Sequence, residues 1–156
     1  MVTTFIFFGA KYLLFVLLGV AFGWFLYEPR KRKKEIVITS ISTAGISFVL
    51  SRVASALYNN PRPFVTQQIT PLLSHAADNG FPSDHALLAA TVTFVVWQYN
   101  RRLGVILFLL TLCIGGARVL ALVHHPIDIL GSFGIALLSS IAVFYILFPG
   151  FQKWKR

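Results

Sequence analysis

Three short polar stretches interrupt a chain that is otherwise strongly apolar: Asn60-Pro-Arg-Pro63, Pro82-Ser-Asp-His85 and Gly116-Ala-Arg-Val-Leu-Ala-Leu-Val-His-His-Pro-Ile-Asp128. The last carries the clearest chemical arrangement. Pro126 disfavours helical geometry at His125 and suits the first position of a new helix. Asp128 then falls in that helix's first turn, pointing back along the chain. There it can accept a hydrogen bond from one nitrogen of His124, fixing the tautomer and leaving the other nitrogen as a nucleophile. Asp128 would also favour a helix N-terminus by charge alone, but the arginines expected nearby favour the chemical role.

Arg118 and His124 are six residues apart, which on a continuous helix separates them by about 240°. They face one site only if the helix ends or unwinds before His124, and Pro126 supports such a break. Arg118 could instead snorkel to the interface, although Gly115-Gly-Ala117 beside it permits a close approach. Ser83, Asp84 and His85 open an apolar segment after Pro82. Ser83 or Asp84 could serve as a plain N-cap. The same helix N-terminus offers free N–H groups to a phosphate, with the Ser83 hydroxyl added, and His85 is placed to protonate a leaving oxygen. Arg62, stiffened between two prolines, presents a planar fork suited to bidentate phosphate binding. Arg52 is a further candidate, either joining the site or pairing with Asp78 or Asp84.

Such a set of arginines, histidines, a serine and one orienting carboxylate suits phosphoryl transfer without a metal, because fixed cations stabilise the charge on the equatorial oxygens. The chain has five acidic residues in all, too few for a carboxylate cage around Mg²⁺ or Zn²⁺. Zinc on His85, His124 and His125 would be opposed by the arginines. No cofactor is expected.

The elements that must position these residues are membrane helices. The chain of 156 residues is 56% hydrophobic and 12% charged, with a mean hydropathy of +0.74, beyond what a soluble domain tolerates. Its length suits a single domain over residues 1–156. The lone Cys113 excludes a disulfide framework. A formal charge of +9 could suggest nucleic acid, but the basic residues sit at the ends of apolar segments, where they orient a membrane protein and meet anionic headgroups. Nucleic acid is therefore not an expected partner.

Five segments are long enough to cross a bilayer as helices: roughly Phe5–Tyr27, Ile36–Leu57, Pro82–Tyr99, Leu103–Val123 and Pro126–Phe148. The fold class expected is thus all-α, an integral membrane bundle of about five spans. The first apolar run is too long for a signal-peptide core and reads as a retained span. Ten of the fourteen Lys and Arg residues fall in Glu28–Glu35, Asn100–Arg102 and Gln152–Arg156, all on one side of a five-span bundle. The positive-inside rule makes that side cytoplasmic, with the N-terminus outside and the C-terminus inside. Trp24, Tyr27, Trp97, Tyr99 and Trp154 cluster there as an interfacial belt. The three polar stretches then meet at the outer face, under the loop Asn59–Phe81, which is long enough to act as a cover.

The three stretches resemble the tripartite signature of the type 2 phosphatidic acid phosphatase superfamily. Arg118, His124 and Asp128 match its Ser-Arg-x5-His-x3-Asp block, Pro82-Ser83-Asp84-His85 its Pro-Ser-Gly-His block, and Arg62-Pro63 the end of its Lys-x6-Arg-Pro block. The resemblance covers residues from about 50 to 130. It implies that His124 attacks phosphorus to form a phosphohistidine, that Asp128 orients it, and that His85 is general acid and then base. Arg62, Arg118 and Ser83 would hold the phosphate.

Ser55 stands in place of the family's lysine, with Arg52 one helical turn away as a substitute. Ala117 replaces the serine before Arg118, and five spans stand where membrane members commonly have six. Asp84 in place of glycine and the run Pro61-Arg-Pro-Phe64 resemble the bacitracin-resistance branch, the undecaprenyl diphosphate phosphatases. The resemblance implies hydrolysis of undecaprenyl diphosphate at the outer face of the cell membrane, in recycling of the peptidoglycan carrier. Phosphatidic acid, phosphatidylglycerol phosphate or a lipid A phosphate are alternative substrates. A non-catalytic phospholipid-binding or transport protein, or an assembly subunit, would use the same scaffold differently. Oligomeric state is left open.

Overall fold

The computed structural model of the chain describes residues 1–147. Those residues form seven helices and no strand: α1 (Val2–Lys11), α2 (Leu13–Tyr27), α3 (Arg30–Leu57), α4 (Pro63–Thr66), α5 (Asp84–Tyr99), α6 (Arg101–Leu120) and α7 (Pro126–Leu147). Phe148 and the basic segment from Gln152 to Arg156, with Trp154, lie outside the described residues.

The five expected segments each become helical, with three differences. The first is two helices, α1 and α2, bent by 49° at Tyr12. The run Arg30–Lys34, expected in a loop, instead makes the first turns of α3, behind Pro29 as N-cap. Arg32 reaches back to Glu28 at 3.0 Å. The third segment begins at Asp84 rather than Pro82 and has 16 residues, about 24 Å at 1.5 Å per residue, short of a bilayer core of about 30 Å. By length and composition α3, α6 and α7 can each cross a bilayer, and the bent α1–α2 pair can form a fourth span.

Helix α5 is the centre of the bundle, packing against α2, α3, α6 and α7, while α1 lies along α6 and α3 along α7. Small residues make many of the contacts, as suits a bundle in which lipid removes the hydrophobic gain from helix association. Thr39, Thr43, Ser47 and Ser51 recur at every fourth position on the buried face of α3. Thr91 of α5 reaches Ser47 at 3.4 Å, and Thr93 pairs with Thr111 of α6 at 2.8 Å. Leu14 and Leu17 of α2, Ala89 and Val96 of α5 and Leu107 and Ile114 of α6 fill the largest apolar cluster. Large apolar side chains such as Phe15, Phe22, Phe48, Leu109 and Leu138 point outward, as lipid-facing surfaces require.

The connection from α3 to α5 is an ordered cap over one end of the bundle. It contains α4 and an isolated antiparallel bridge between Pro61 and Asn79. Leu73 anchors it in an apolar cluster with Ala10 of α1 and Ala117, Ala121 and Val123 around the end of α6.

Candidate active site

The end of α6 is where the site begins. The helix stops at Leu120, and the next residues turn back in a Schellman arrangement: Val123 N–H donates to Arg118 O at 3.3 Å and Leu122 N–H to Val119 O at 2.9 Å. The left-handed position is held by Leu122, at φ 61°, where glycine is the usual occupant. A branched-chain side chain costs about 1 kcal/mol or more there. This turn removes the 240° separation of Arg118 from His124. Pro126 then starts α7, and Asp128 lies in its first turn.

His124 is almost fully buried. Its Nδ1 donates to the carbonyl of Gly80 at 2.9 Å, with Asp128 Oδ2 further off at 3.4 Å. The expected His124–Asp128 contact is therefore present as the longer arm of a shared bond. With the proton on Nδ1, the lone pair of Nε2 is free. It faces two guanidiniums, Arg62 Nη1 at 3.3 Å and Arg118 Nη2 at 3.4 Å. Burial holds the imidazole below its usual pKa; Asp128 opposes the shift, while Arg118 and Arg62 add to it. At neutral pH the ring is uncharged.

Asp128 is completely buried and is satisfied by donors. Asn60 Nδ2 donates to Oδ1 at 2.7 Å, and the His125 backbone N–H donates to Oδ2 at 2.8 Å. The carboxylate thus braces the turn as well as the imidazole. Space around it is tight: a Cβ on Gly80 would lie 3.0 Å from Asp128 Oδ2.

Arg62, extended at the N-cap of α4 as its flanking prolines dictate, is buried. Its Nε binds Asp78 at 2.7 Å and its Nη1 donates to Val123 O at 2.9 Å. That bond to Arg62 holds the Asp78 carboxyl below the ordinary carboxylate range. Arg118 is buried too, so it does not snorkel. Nη1 donates to Ala10 O at 3.3 Å, in the last turn of α1, where the helix dipole favours a cation. Nη2 meets His75 Nε2 at 2.6 Å. Its Nε, together with the Ser83 hydroxyl, is buried without a hydrogen-bond partner. Ser83 is the N-cap of α5, yet its side chain makes no capping bond. Two buried polar groups left unmatched cost about 1–3 kcal/mol each, and each could be satisfied by an anion's oxygen.

His85, in the first turn of α5, is half-buried and near enough to feel the charges of Arg118 and His124. Arg52 does not join this group: it pairs with Asp84 at 3.0 Å, with both side chains more than half exposed. Ser55, in the position of the absent lysine, is taken up by Asn79, whose amide donates to Ser55 O and Oγ. The residues that sequence reasoning left without a role are Asn60, His75, Asn79 and Gly80. Asn79-Gly80 is a turn dipeptide, which hinted at a bend before Pro82; nothing in the pattern pointed to His75.

One histidine with an anchored nitrogen, its other nitrogen set between two buried guanidiniums at the head of an apolar helical bundle, defines a membrane-embedded site fitted to a phosphate-like anion. The chain belongs to the PAP2 superfamily, which it matches over residues 36–151. That membership places it among membrane lipid phosphatases. It is 31% identical over 121 residues to the undecaprenyl-diphosphatase BcrC of Bacillus subtilis (strain 168), covering 78% of this chain and 62% of that protein. It is 28% identical over 142 residues to the bacitracin transport permease protein BcrC of Bacillus licheniformis, covering 90% of this chain and 69% of that one. The chain thus spans roughly two thirds of the length of these relatives. Among solved structures, Aquifex aeolicus LpxE superposes with a TM-score of 0.69 at 26% identity, over 91% of this chain and 82% of that one. A PAP2-type phosphatidylglycerolphosphate phosphatase from Bacillus subtilis shares the fold, with a TM-score of 0.62 at 24% identity, over 99% of this chain and 77% of that one.

Proposed function

We propose that the chain hydrolyses undecaprenyl diphosphate to undecaprenyl phosphate and phosphate, without a metal, through a phosphohistidine on His124. The observation that carries this reading is the placement of His124 Nε2, with its lone pair between Arg62 and Arg118 and its other nitrogen held by Gly80 and Asp128. Nε2 attacks the terminal phosphorus, and the bond from phosphorus to the bridging oxygen breaks. The electron pair leaves on that oxygen and takes the proton of His85, which the ring carries once the negative charge of the bound diphosphate offsets the nearby charges of Arg118 and His124. The imidazole becomes cationic as it attacks, and the Asp128 carboxylate offsets that charge. Arg62, Arg118 and the Ser83 hydroxyl take the non-bridging oxygens, where negative charge spreads in the transition state. Water then attacks the phosphohistidine, with His85 accepting its proton, and phosphate departs. The two guanidiniums that favour a phosphate would repel a metal cation at the same place.

The domain is read as a single unit, with the site at the extracytoplasmic face of the cell membrane. That orientation is supported by the basic residues of α3 and of Arg101 and Arg102 at the opposite end of the bundle. The similarity to BcrC proteins supports the polyprenyl substrate. The test is phosphate release from undecaprenyl diphosphate in detergent with EDTA, comparing wild type with His124→Ala. Turnover that survives EDTA and is abolished by the substitution is the expected result. Release from glycerolipid phosphates alone would keep the mechanism and remove the substrate assignment. No release from any lipid phosphate would favour a binding or transport role.

A further inference from the structure

The segment between α4 and α5 sends one side chain into the site that the reaction above does not use. His75 Nε2 lies 2.6 Å from Arg118 Nη2, and its ring centroid is 6.2 Å from that of His124. The segment is pinned on either side of it. Leu73 is buried in the cluster around the end of α6. Asp78 is paired with Arg62, and Asn79 clasps Ser55, Tyr58, Asn60 and Phe81. An imidazole fixed between two such anchors has a defined position.

A guanidinium only donates, so the contact requires His75 Nε2 to be the acceptor, with its proton on Nδ1. Burial lowers the His75 pKa to about 4, assisted by Arg62, Arg118 and His124 and opposed by Asp78. The ring is therefore neutral at physiological pH. Two arms of Arg118 are then tied to the protein, Nη2 to His75 at 2.6 Å and more loosely to His124 at 3.4 Å, and Nη1 to the Ala10 carbonyl. The remaining Nε–H is one of the two unmatched groups, the Ser83 hydroxyl being the other.

We propose that His75 is a positioning residue: it holds back one arm of Arg118 so that the Nε–H edge, with Ser83, is presented to the phosphate. This inference rests on the phosphatase reading and deepens it. Binding of inorganic phosphate and turnover are both measured for wild type, His75→Ala and His75→Gln, with unfolding temperature in detergent as a control. His75→Ala should weaken phosphate binding and raise KM about tenfold, the effect of losing one charge-assisted hydrogen bond, with kcat changed much less. Glutamine offers an oxygen acceptor that does not titrate, so His75→Gln should recover most of the loss at neutral pH.

The pH dependence separates this role from a purely structural one. The groups facing His75 are Arg62 and Asp78 from the same connection, Arg118 from α6 and His124 from the turn after it. As pH falls towards about 4, His75 loses its acceptor, so wild-type phosphate affinity should fall relative to His75→Gln. Unchanged binding in His75→Ala would overturn the proposal, as would His75→Gln no better than alanine. Tighter wild-type binding at low pH would also overturn it, since His75 would then be a cationic ligand of phosphate. A wild type that binds phosphate but turns over no lipid would sink the catalytic reading, while the binding comparison would still decide on His75.

Discussion

Asn60 offers the sharpest perturbation of the proposed machinery. Its amide donates to Asp128 Oδ1 at 2.7 Å, while its backbone N–H and C=O bind Asn79 and Gly80 independently of the side chain. Asn60→Ala therefore deletes one bond and leaves the loop tied. A hydrogen bond to a buried charged acceptor is worth about 1.5–3 kcal/mol. At about 1.36 kcal/mol per factor of ten, a loss of about 10- to 100-fold in kcat/KM follows if the bond is fully felt in the transition state. Asn60→Asp sharpens the test. It sets two carboxyl groups at hydrogen-bond distance, where they must share a proton. While the proton is held, the introduced carboxyl donates as the amide did; once it is lost, two buried like charges repel. Activity of Asn60→Asp relative to wild type should therefore be near normal at low pH and fall as pH rises. The assay is phosphate release across pH, with the unfolding temperature followed in parallel. Asn60→Ala within about twofold of wild type throughout would refute the argument that Asp128 acts through a braced carboxylate.

Four further outcomes are expected. His124→Ala should lower turnover by about a thousandfold or more, since the nucleophile itself is removed; residual activity near wild type would reassign the nucleophile. Because His75 and His124 are held neutral in the fold, the unfolded chain binds their protons more readily. Stability in detergent should be unaffected by them above the ordinary histidine pKa of about 6.5 and should decline as pH falls below it, for His75 down to about 4 and for His124 from the same starting point; a flat profile below about pH 6.5 would count against both assignments. Leu122→Gly relieves a left-handed residue and should exceed Leu122→Val in stability by about 1–2 kcal/mol, read from unfolding midpoints. Gly131→Ala drives a Cβ into the Phe81 ring; it should destabilise by about 1–3 kcal/mol and lower activity by shifting the backbone beside Gly80.

The helices and the main chemical groups were legible because each is written locally. Apolar length specifies a span, Pro126 a helix start, and Asp128 four residues after His124 a reach back across one turn. The meeting of Arg62 and Arg118 at His124 was expected from a count of five spans, whereas by length and composition the described residues supply three, or four with the bent pair. What was not legible depends on the path of the chain between α3 and α5. The Gly80 carbonyl is the nearer acceptor of His124 Nδ1, and a backbone carbonyl leaves no mark in the residue pattern. Asn60 lies 68 positions from Asp128 and His75 43 from Arg118, so no periodicity relates them. Leu122 in a left-handed turn runs against propensity, and the packing of Val123, the bonds of the Schellman turn and the Phe64 N–H donating to Leu122 O compensate for it.

Ser55 shows how the missing lysine is absorbed. A lysine there would add a mobile cation to the mouth of the site. The serine instead accepts from Asn79, and Asn79 accepts from the backbone N–H groups of Asn60 and Phe81. Asn60 grips Asp128, and Gly80, one residue before Phe81, grips His124. Ser55 thus supports the backbone that holds His124 and Asp128. Arg52, paired with Asp84 at 3.0 Å, takes no part in this support.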